Sequence, residues 1–268
     1  MTEPHVTVPD SVPDISVIVP AYNEERRLPP TLIEMIDYFD HRGCEYEIIV
    51  VDDGSTDATR EVVGKFGKLR SQVTLIALEK NYGKGFAVRT GMLRARGVNV
   101  LFADADGATP IVELERLEQA LEDTTDVAIG SRAIVASDTS VKTSILRKFL
   151  GQSFNRCVNF LVLPGIVDTQ CGFKLFRRHT AQFLFGLQRS SRFGFDVEIL
   201  HIAQRADIGI AEVPINWTNI AGSKVNLVRD AIQMFFDILK FKVRHRSVTP
   251  ESSSPFIAEG GTSRGESV

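Results

Sequence analysis

Short apolar runs that alternate with helix-length stretches constrain this chain more than any other feature. Ile15-Ser-Val-Ile-Val-Pro20, a β-branched run, Tyr46-Glu-Ile-Ile-Val-Val51, residues 73–78, residues 98–103 and Asp126-Val-Ala-Ile-Gly130 are strand-length. Between them the spacing predicts helices at 25–41, 57–68, 84–96 and 110–122. Asn23 is read as the N-cap of the first helix and Pro110 as part of the first turn of the fourth. Strands alternating with helices imply an α/β domain with a parallel-type sheet and right-handed crossovers.

In such a sheet, ligands bind beyond the carboxyl ends of the strands. Three of those ends are polar or acidic: Pro20-Ala-Tyr-Asn-Glu-Glu25, Asp52-Asp-Gly-Ser-Thr-Asp57 and Asp104-Ala-Asp106-Gly107. Alternate side chains of a strand share a face, so Asp104 and Asp106 can project together and hold a divalent cation. Hard oxygen ligands with no nearby Cys or His favour Mg²⁺ or Mn²⁺ over zinc, and a nucleotide diphosphate is the implied ligand. A bare triplet of this kind also occurs as an Asp-rich surface turn. Lys80-Asn-Tyr-Gly83-Lys84-Gly85 places a GxG and Lys84 at a helix start, where phosphate or ribose can approach closely. The third glycine of a dinucleotide fingerprint and the GxxxxGK[ST] phosphate loop are both missing, which argues against a dehydrogenase and a P-loop hydrolase.

The second half carries Ser131-Arg132, an amphipathic stretch at 142–163, a loop at Asp168 entering a short strand, and a helix from Phe195. Asp196 and Glu198 in that helix suit either sugar hydroxyl contact or capping. A strand over 208–215 leads to Trp217, which can stack on a sugar or sit buried. The stretch 225–244 reads as a greasy helix ending in Lys240, Lys242, Arg244, His245 and Arg246. Its apolar face fits a membrane interface or a core. Residues 1–13 and 247–268 read as disordered.

A net charge of −3 argues against binding nucleic acid by bulk charge, and three cysteines without CxxC spacing fit a reducing, cytoplasmic compartment. No apolar run is long enough to span a bilayer, and the first residues lack the pattern of a signal peptide.

Taken in order, Val19-Pro-Ala-Tyr-Asn-Glu24, Val51-Asp-Asp-Gly-Ser-Thr-Asp57, Asp104-Ala-Asp106, Gly130-Ser-Arg132, Asp168-Thr-Gln-Cys-Gly-Phe-Lys174 and Gly222-Ser-Lys224 resemble the motifs of family 2 inverting glycosyltransferases of GT-A fold. Within that family they look like the polyprenyl (dolichyl) phosphate sugar synthases, and DADGAT, DTQCGFKLF, FDVEIL and NWTNIAGSK are most similar to the dolichyl-phosphate β-glucosyltransferases. The resemblance covers about 15–245. It implies a three-layer α/β/α domain over 14–246, with a mostly parallel sheet and a C-terminal amphipathic helix. The donor half would span about 14–130 and the acceptor half about 131–246.

The resemblance also implies roles. Pro20, Ala21, Tyr22 and Glu24 would line a nucleoside pocket, with Lys84 near the nucleotide and Asp52 accepting from the base. Asp104 would serve the ribose side of the metal site and Asp106 would bind Mg²⁺ or Mn²⁺. Ser223 and Lys224 would contact the diphosphate. Arg132, Arg147 and Ser153 would hold the acceptor phosphate, and Asp168, Gln170 and Lys174 would shape the sugar site. Asp106, Arg132, Asp168 and Lys224 form the expected catalytic set. Ala108 stands where related mannosyl enzymes often carry a Gln ligand, which implies weak metal binding without donor.

The implied reaction moves glucose from UDP-glucose to a polyprenyl phosphate at the cytoplasmic face of a membrane, with 142–163 and 225–244 as the docking surface. GDP-mannose, a UDP-N-acetylhexosamine or a soluble acceptor are alternatives within the class. A non-catalytic nucleotide-sugar-binding module is the alternative outside it.

Overall fold

The computed structural model describes residues 11–122, 124–134, 136–142, 162–220, 237, 240–241 and 243–253. Strands β1 (Ile15–Ala21), β2 (Tyr46–Asp52), β3 (Val73–Ala77), β4 (Asn99–Ala103), β5 (Val127–Ser131), β7 (Phe173–Arg177) and β8 (Ile210–Pro214) form one sheet, ordered β3-β2-β1-β4-β7-β5-β8. A second, two-stranded parallel sheet pairs β6 (Val141–Lys142) with β9 (Trp217–Thr218).

The expected parallel sheet has one reversal. β7 lies antiparallel between β4 and β5, with Leu101 opposite Leu175 and Phe102 opposite Lys174. The reversal places the start of β7, and the 168–172 loop before it, on the rim where β1, β2 and β4 end.

Helices α1 (Leu28–Arg42), α2 (Thr59–Leu69), α3 (Lys84–Met92), α4 (Leu114–Ala120), α5 (Arg178–Leu187) and α6 (Phe195–Arg205) cover both faces. Side-chain alternation sorts the strands between two cores. Val17, Val19, Ile48, Val50, Leu101, Phe173 and Leu175 pack with Leu32, Phe39 and Leu117 of α1 and α4. Ile18, Ile49, Val51, Val100, Phe102 and Phe176 pack with Val88, Leu184 and Phe195 of α3, α5 and α6. This is the expected three-layer arrangement.

Asn23 does not cap α1. The helix starts at Leu28 with prolines in its first turn, while Asn23 adopts φ +54° and its Oδ1 accepts the Thr56 N–H at 2.8 Å. Prolines suit a first turn because they lack the N–H that would go unpaired there. The stretch expected to form one helix at 110–122 splits into a 3-10 turn at Ile111–Glu113 and α4. Helix α5 has no start signal in the sequence, since Arg177 before it offers no capping side chain.

Most of 142–163 and 225–244 lies outside the described residues. At 237, 240, 241, 243 and 244 the chain is helical, and Phe241 is buried against the α6 face of the sheet. Beyond the expected boundary at 246, Val248 packs into the same core and Pro250–Ser252 form a 3-10 turn. Among the described residues no helix is long and apolar enough to cross a membrane.

Candidate active site

The first two rim motifs interlock. The Asn23 N–H donates to Ser55 Oγ and the Glu24 N–H to Thr59 Oγ1, both at 2.8 Å. The Glu25 N–H donates to Asp57 Oδ2 at 3.2 Å. Pro20 and Ala21 are buried at the end of β1, and Tyr22 beyond them is exposed. Asp52 is fully buried, and its carboxylate accepts from Arg60 Nε at 2.5 Å and from the Ser55 N–H. That carboxylate is therefore already engaged by protein donors.

Asp53, which the motif reading left without a role, accepts the Tyr82 and Gly83 N–H groups at 2.7 and 2.8 Å. Burial raises its pKa against those two bonds. Gly83 has φ +106°, a conformation that favours glycine, and the turn it makes opens α3 at Lys84.

The shared face expected of Asp104 and Asp106 does not extend past Ala103, because β4 ends there and the chain turns through Gly107 at φ +67°. Asp104 Oδ1 lies 2.7 Å from Lys84 Nζ. Asp106 is on the α1 side: its Oδ1 accepts the Ala108 N–H at 3.1 Å, and Arg27 Nη1 is 3.7 Å from its Oδ2. Burial and the neighbouring Asp104 raise the Asp106 pKa, opposed by the Ala108 N–H, Arg27 and Lys84.

Among the described residues no three His, Cys, Asp or Glu side chains converge on a metal position. Among the described residues the rim thus offers the two carboxylates of the triplet, of which Asp106 is the less engaged. That sparse oxygen set fits Mg²⁺ or Mn²⁺, since Mg²⁺ usually binds through one or two carboxylates plus substrate phosphates and water.

On the α6 side of the rim sits a buried charge cluster. Lys174 has no exposed surface, and its Nζ donates to the Cys171 carbonyl and to Asp196 Oδ1, each at 2.5 Å. Burial raises the Asp196 pKa, while Lys174 and Lys84 pull it down. Lys84 and Lys174 also flank the Phe102 ring, with Nζ 5.2 and 5.9 Å from its centroid. Glu198 is not in this cluster. Two helical residues turn through about 200°, so it faces away and accepts the Arg189 and Ser190 N–H groups and a 2.7 Å contact from His245 Nε2.

Arg132 and Asp168 form a bidentate pair, Nε to Oδ2 at 2.7 Å and Nη2 to Oδ1 at 2.9 Å, and the Arg132 N–H adds a third bond. Burial would raise the Asp168 pKa, but the guanidinium holds it down to about 2. The guanidinium carbon lies 5.5 Å from the Trp217 ring centroid, so Trp217 braces Arg132. Glu212 of β8, missed by sequence reasoning, accepts from Ser131 Oγ and from the Val167 and Asp168 N–H groups. The Gln170 N–H donates to Asp168 Oδ1 at 3.3 Å. The Thr218 N–H donates to the Ala108 carbonyl at 2.8 Å, tying β9 to the acidic turn. Arg147, Ser153, Ser223 and Lys224 lie outside the described residues.

Gly172 seats the acidic strand end. Its carbonyl accepts the Asp104 N–H at 3.0 Å, and a Cβ at this position would overlap the Asp104 carboxylate. Gly172→Ala is expected to displace Asp104 and lower turnover about 100-fold, the scale of an ångström-size misplacement. Thermal melting should show the fold retained. Turnover within about threefold of wild type would show that Asp104 tolerates the displacement.

The chain matches the family model for glycosyl transferase family 2 over residues 16–185. It is 43% identical over 244 residues to dolichyl-phosphate beta-glucosyltransferase of Homo sapiens, covering 86% of this chain and 75% of the human protein. The protein of the same name from Saccharomyces cerevisiae is 39% identical over 249 residues, again covering 86% and 75%. Among solved structures, glucosyl-3-phosphoglycerate synthase from Mycobacterium tuberculosis in complex with UDP has a TM-score of 0.64 at 19% identity, covering 85% of this chain and 80% of that one. The same enzyme with Mn²⁺, UDP and glucosyl-3-phosphoglycerate has a TM-score of 0.62 at 20% identity, covering 84% and 80%. These structures share the fold; the family model, matched across more than half the sequence, carries the assignment further, and the chain belongs to glycosyl transferase family 2.

Proposed function

We propose that this glycosyltransferase moves glucose from UDP-glucose to a polyprenyl (dolichyl-type) phosphate, inverting the anomeric carbon. The observation that carries the reading is the single rim on which the Asp104/Asp106 turn and the Arg132–Asp168 pair meet, in a chain 43% identical to a dolichyl-phosphate beta-glucosyltransferase. A Mg²⁺ or Mn²⁺ ion at Asp106, with Asp104 beside it, would neutralise charge on the departing diphosphate.

The chain's own residues do the rest by positioning and charge. Pro20, Ala21, Tyr22 and Glu24 bound the nucleoside side, with Asp52 fixed behind them. Lys84 holds Asp104 in place. Arg132 presents a cation to the acceptor phosphate, kept in orientation by Asp168 and Trp217, and Arg147 and Ser153 join it there. A phosphate monoester has a second pKa near 6, so at neutral pH it is already a competent nucleophile without a strong general base. Gln170 and the Lys174–Asp196 pair shape the sugar side, and Ser223 and Lys224 contact the diphosphate. The enzyme works from one side of a membrane, at its cytoplasmic face, docked through 142–163 and 225–244.

The test mixes the full chain with a polyprenyl phosphate, Mg²⁺ or Mn²⁺, and radiolabelled UDP-glucose or GDP-mannose in parallel. Label should enter the organic phase from UDP-glucose alone and be lost with EDTA. Transfer from GDP-mannose instead would overturn the donor assignment, and transfer that survives EDTA would overturn the metal. In a flotation assay the active protein should rise with anionic vesicles; full activity without flotation would remove the membrane-docking part.

A further inference from the structure

We infer that Arg27 binds the donor diphosphate, its Nη1 donating to an anionic phosphate oxygen, so that donor binding depends only partly on metal. The inference rests on the nucleotide-sugar reading above. Arg27 Nε donates to Glu24 Oε2 at 2.7 Å and Nη2 to Oε1 at 2.5 Å, and Glu24 is itself buried. That fork fixes the guanidinium and leaves Nη1 directed away from Glu24. Nη1 is buried and has no hydrogen-bond partner among the described residues.

The Asp106 oxygen near Nη1 is 3.7 Å off, beyond hydrogen-bond reach. Buried donors are almost always paired in native proteins, so this one marks a place for an acceptor.

Its surroundings say which kind. Thr31 Oγ1 lies 3.1 Å from both the Arg27 and Ala105 carbonyl oxygens, so the start of α1 and the acidic turn hold one fixed relation. Nη1 therefore stays beside Asp106, where a bound divalent cation would draw in phosphate oxygens. A guanidinium N–H suits such an oxygen geometrically and by charge. Ala108, buried and without a polar side chain, adds no ligand of its own to the turn.

Calorimetry on the full chain, with UDP and uridine as probes in Mn²⁺ and in EDTA, tests the inference. Wild type should prefer UDP to uridine even in EDTA. Arg27→Gln should cut UDP affinity about tenfold or more in EDTA, and less in Mn²⁺, with uridine affinity unchanged. An unchanged UDP-to-uridine ratio in the variant would overturn the inference and leave Arg27 as a brace for Glu24, whatever happens to its melting temperature.

Should Arg27→Gln fail to fold, Arg27→Lys decides, because one ammonium cannot serve Glu24 and a phosphate together. Its ratio should fall at least about threefold, and no fall would overturn the inference. Binding of GDP in place of UDP would correct the donor and move the same comparison to GDP and guanosine. Binding of neither diphosphate in Mn²⁺ would overturn the nucleotide-sugar reading itself, and this inference with it.

Discussion

Asp106→Ala is expected to lower transfer of labelled glucose into lipid by about a thousandfold or more, the scale of losing an electrostatic stabiliser of a leaving group. The argument is local. Asp106 combines partial exposure with weak engagement, keeping one backbone N–H at 3.1 Å and a guanidinium at 3.7 Å. Asp104, by contrast, is held by Lys84 and backed by Gly172. Truncating a turn residue of this kind removes no core contact, so the melting temperature should stay close to wild type. Product counted by organic extraction checks the loss, and scanning calorimetry checks the fold. If the variant folds and a cellular role attached to the protein survives, catalysis was not that role and the non-catalytic alternative stands.

The largest effect on stability is expected from Asp196→Ala. Lys174 is buried with its Nζ shared between one carbonyl and Asp196. Deleting the carboxylate leaves an ammonium in the core with a single acceptor, which typically costs about 3–5 kcal/mol. Urea unfolding should show the midpoint fall at constant slope. Asp196→Asn, whose amide oxygen still accepts, should lose less. A loss under about 1 kcal/mol for the alanine variant would mean that water or another acceptor takes the place of the carboxylate. The two substitutions also separate roles, since one removes activity and leaves the fold while the other strikes the fold first.

Much of this architecture is written locally in the sequence. The β-branched runs of β1 and β2 and the apolar run of β4 announce buried parallel strands, and their polar or acidic ends announce a rim. What escaped is non-local. β7 reads as a short strand, but its antiparallel insertion between β4 and β5 depends on tertiary pairing, which period-2 patterning does not encode. The two-residue strands β6 and β9 are too short to show a period.

Within the site, the acidic and basic motif residues were legible by type, while their partners were not. Arg27 sits in a charged run, Glu24-Glu-Arg-Arg27, at an expected helix start, and only the structure shows its fork to Glu24. Glu212 lies in a short strand, and its partners, Ser131 and the 167–168 backbone, are distant in sequence. Asp196 and Glu198 looked equivalent two residues apart; helical geometry sends one to Lys174 and the other to His245.

The reversed strand also bears on how the protein can be divided. The family resemblance implies one domain with a donor half at about 14–130 and an acceptor half at about 131–246. Yet β4 belongs to the first half and finds its second neighbour only in β7, from the other, while β5 is flanked by β7 and β8 and never touches β4 in the ladder. A fragment ending at residue 130 would leave β4 with an open row of backbone donors and acceptors, an invitation to intermolecular pairing. It would also strand β5 without either neighbour. The two expected halves share one sheet, so domain exchange between relatives must carry β4, β7 and β5 across together.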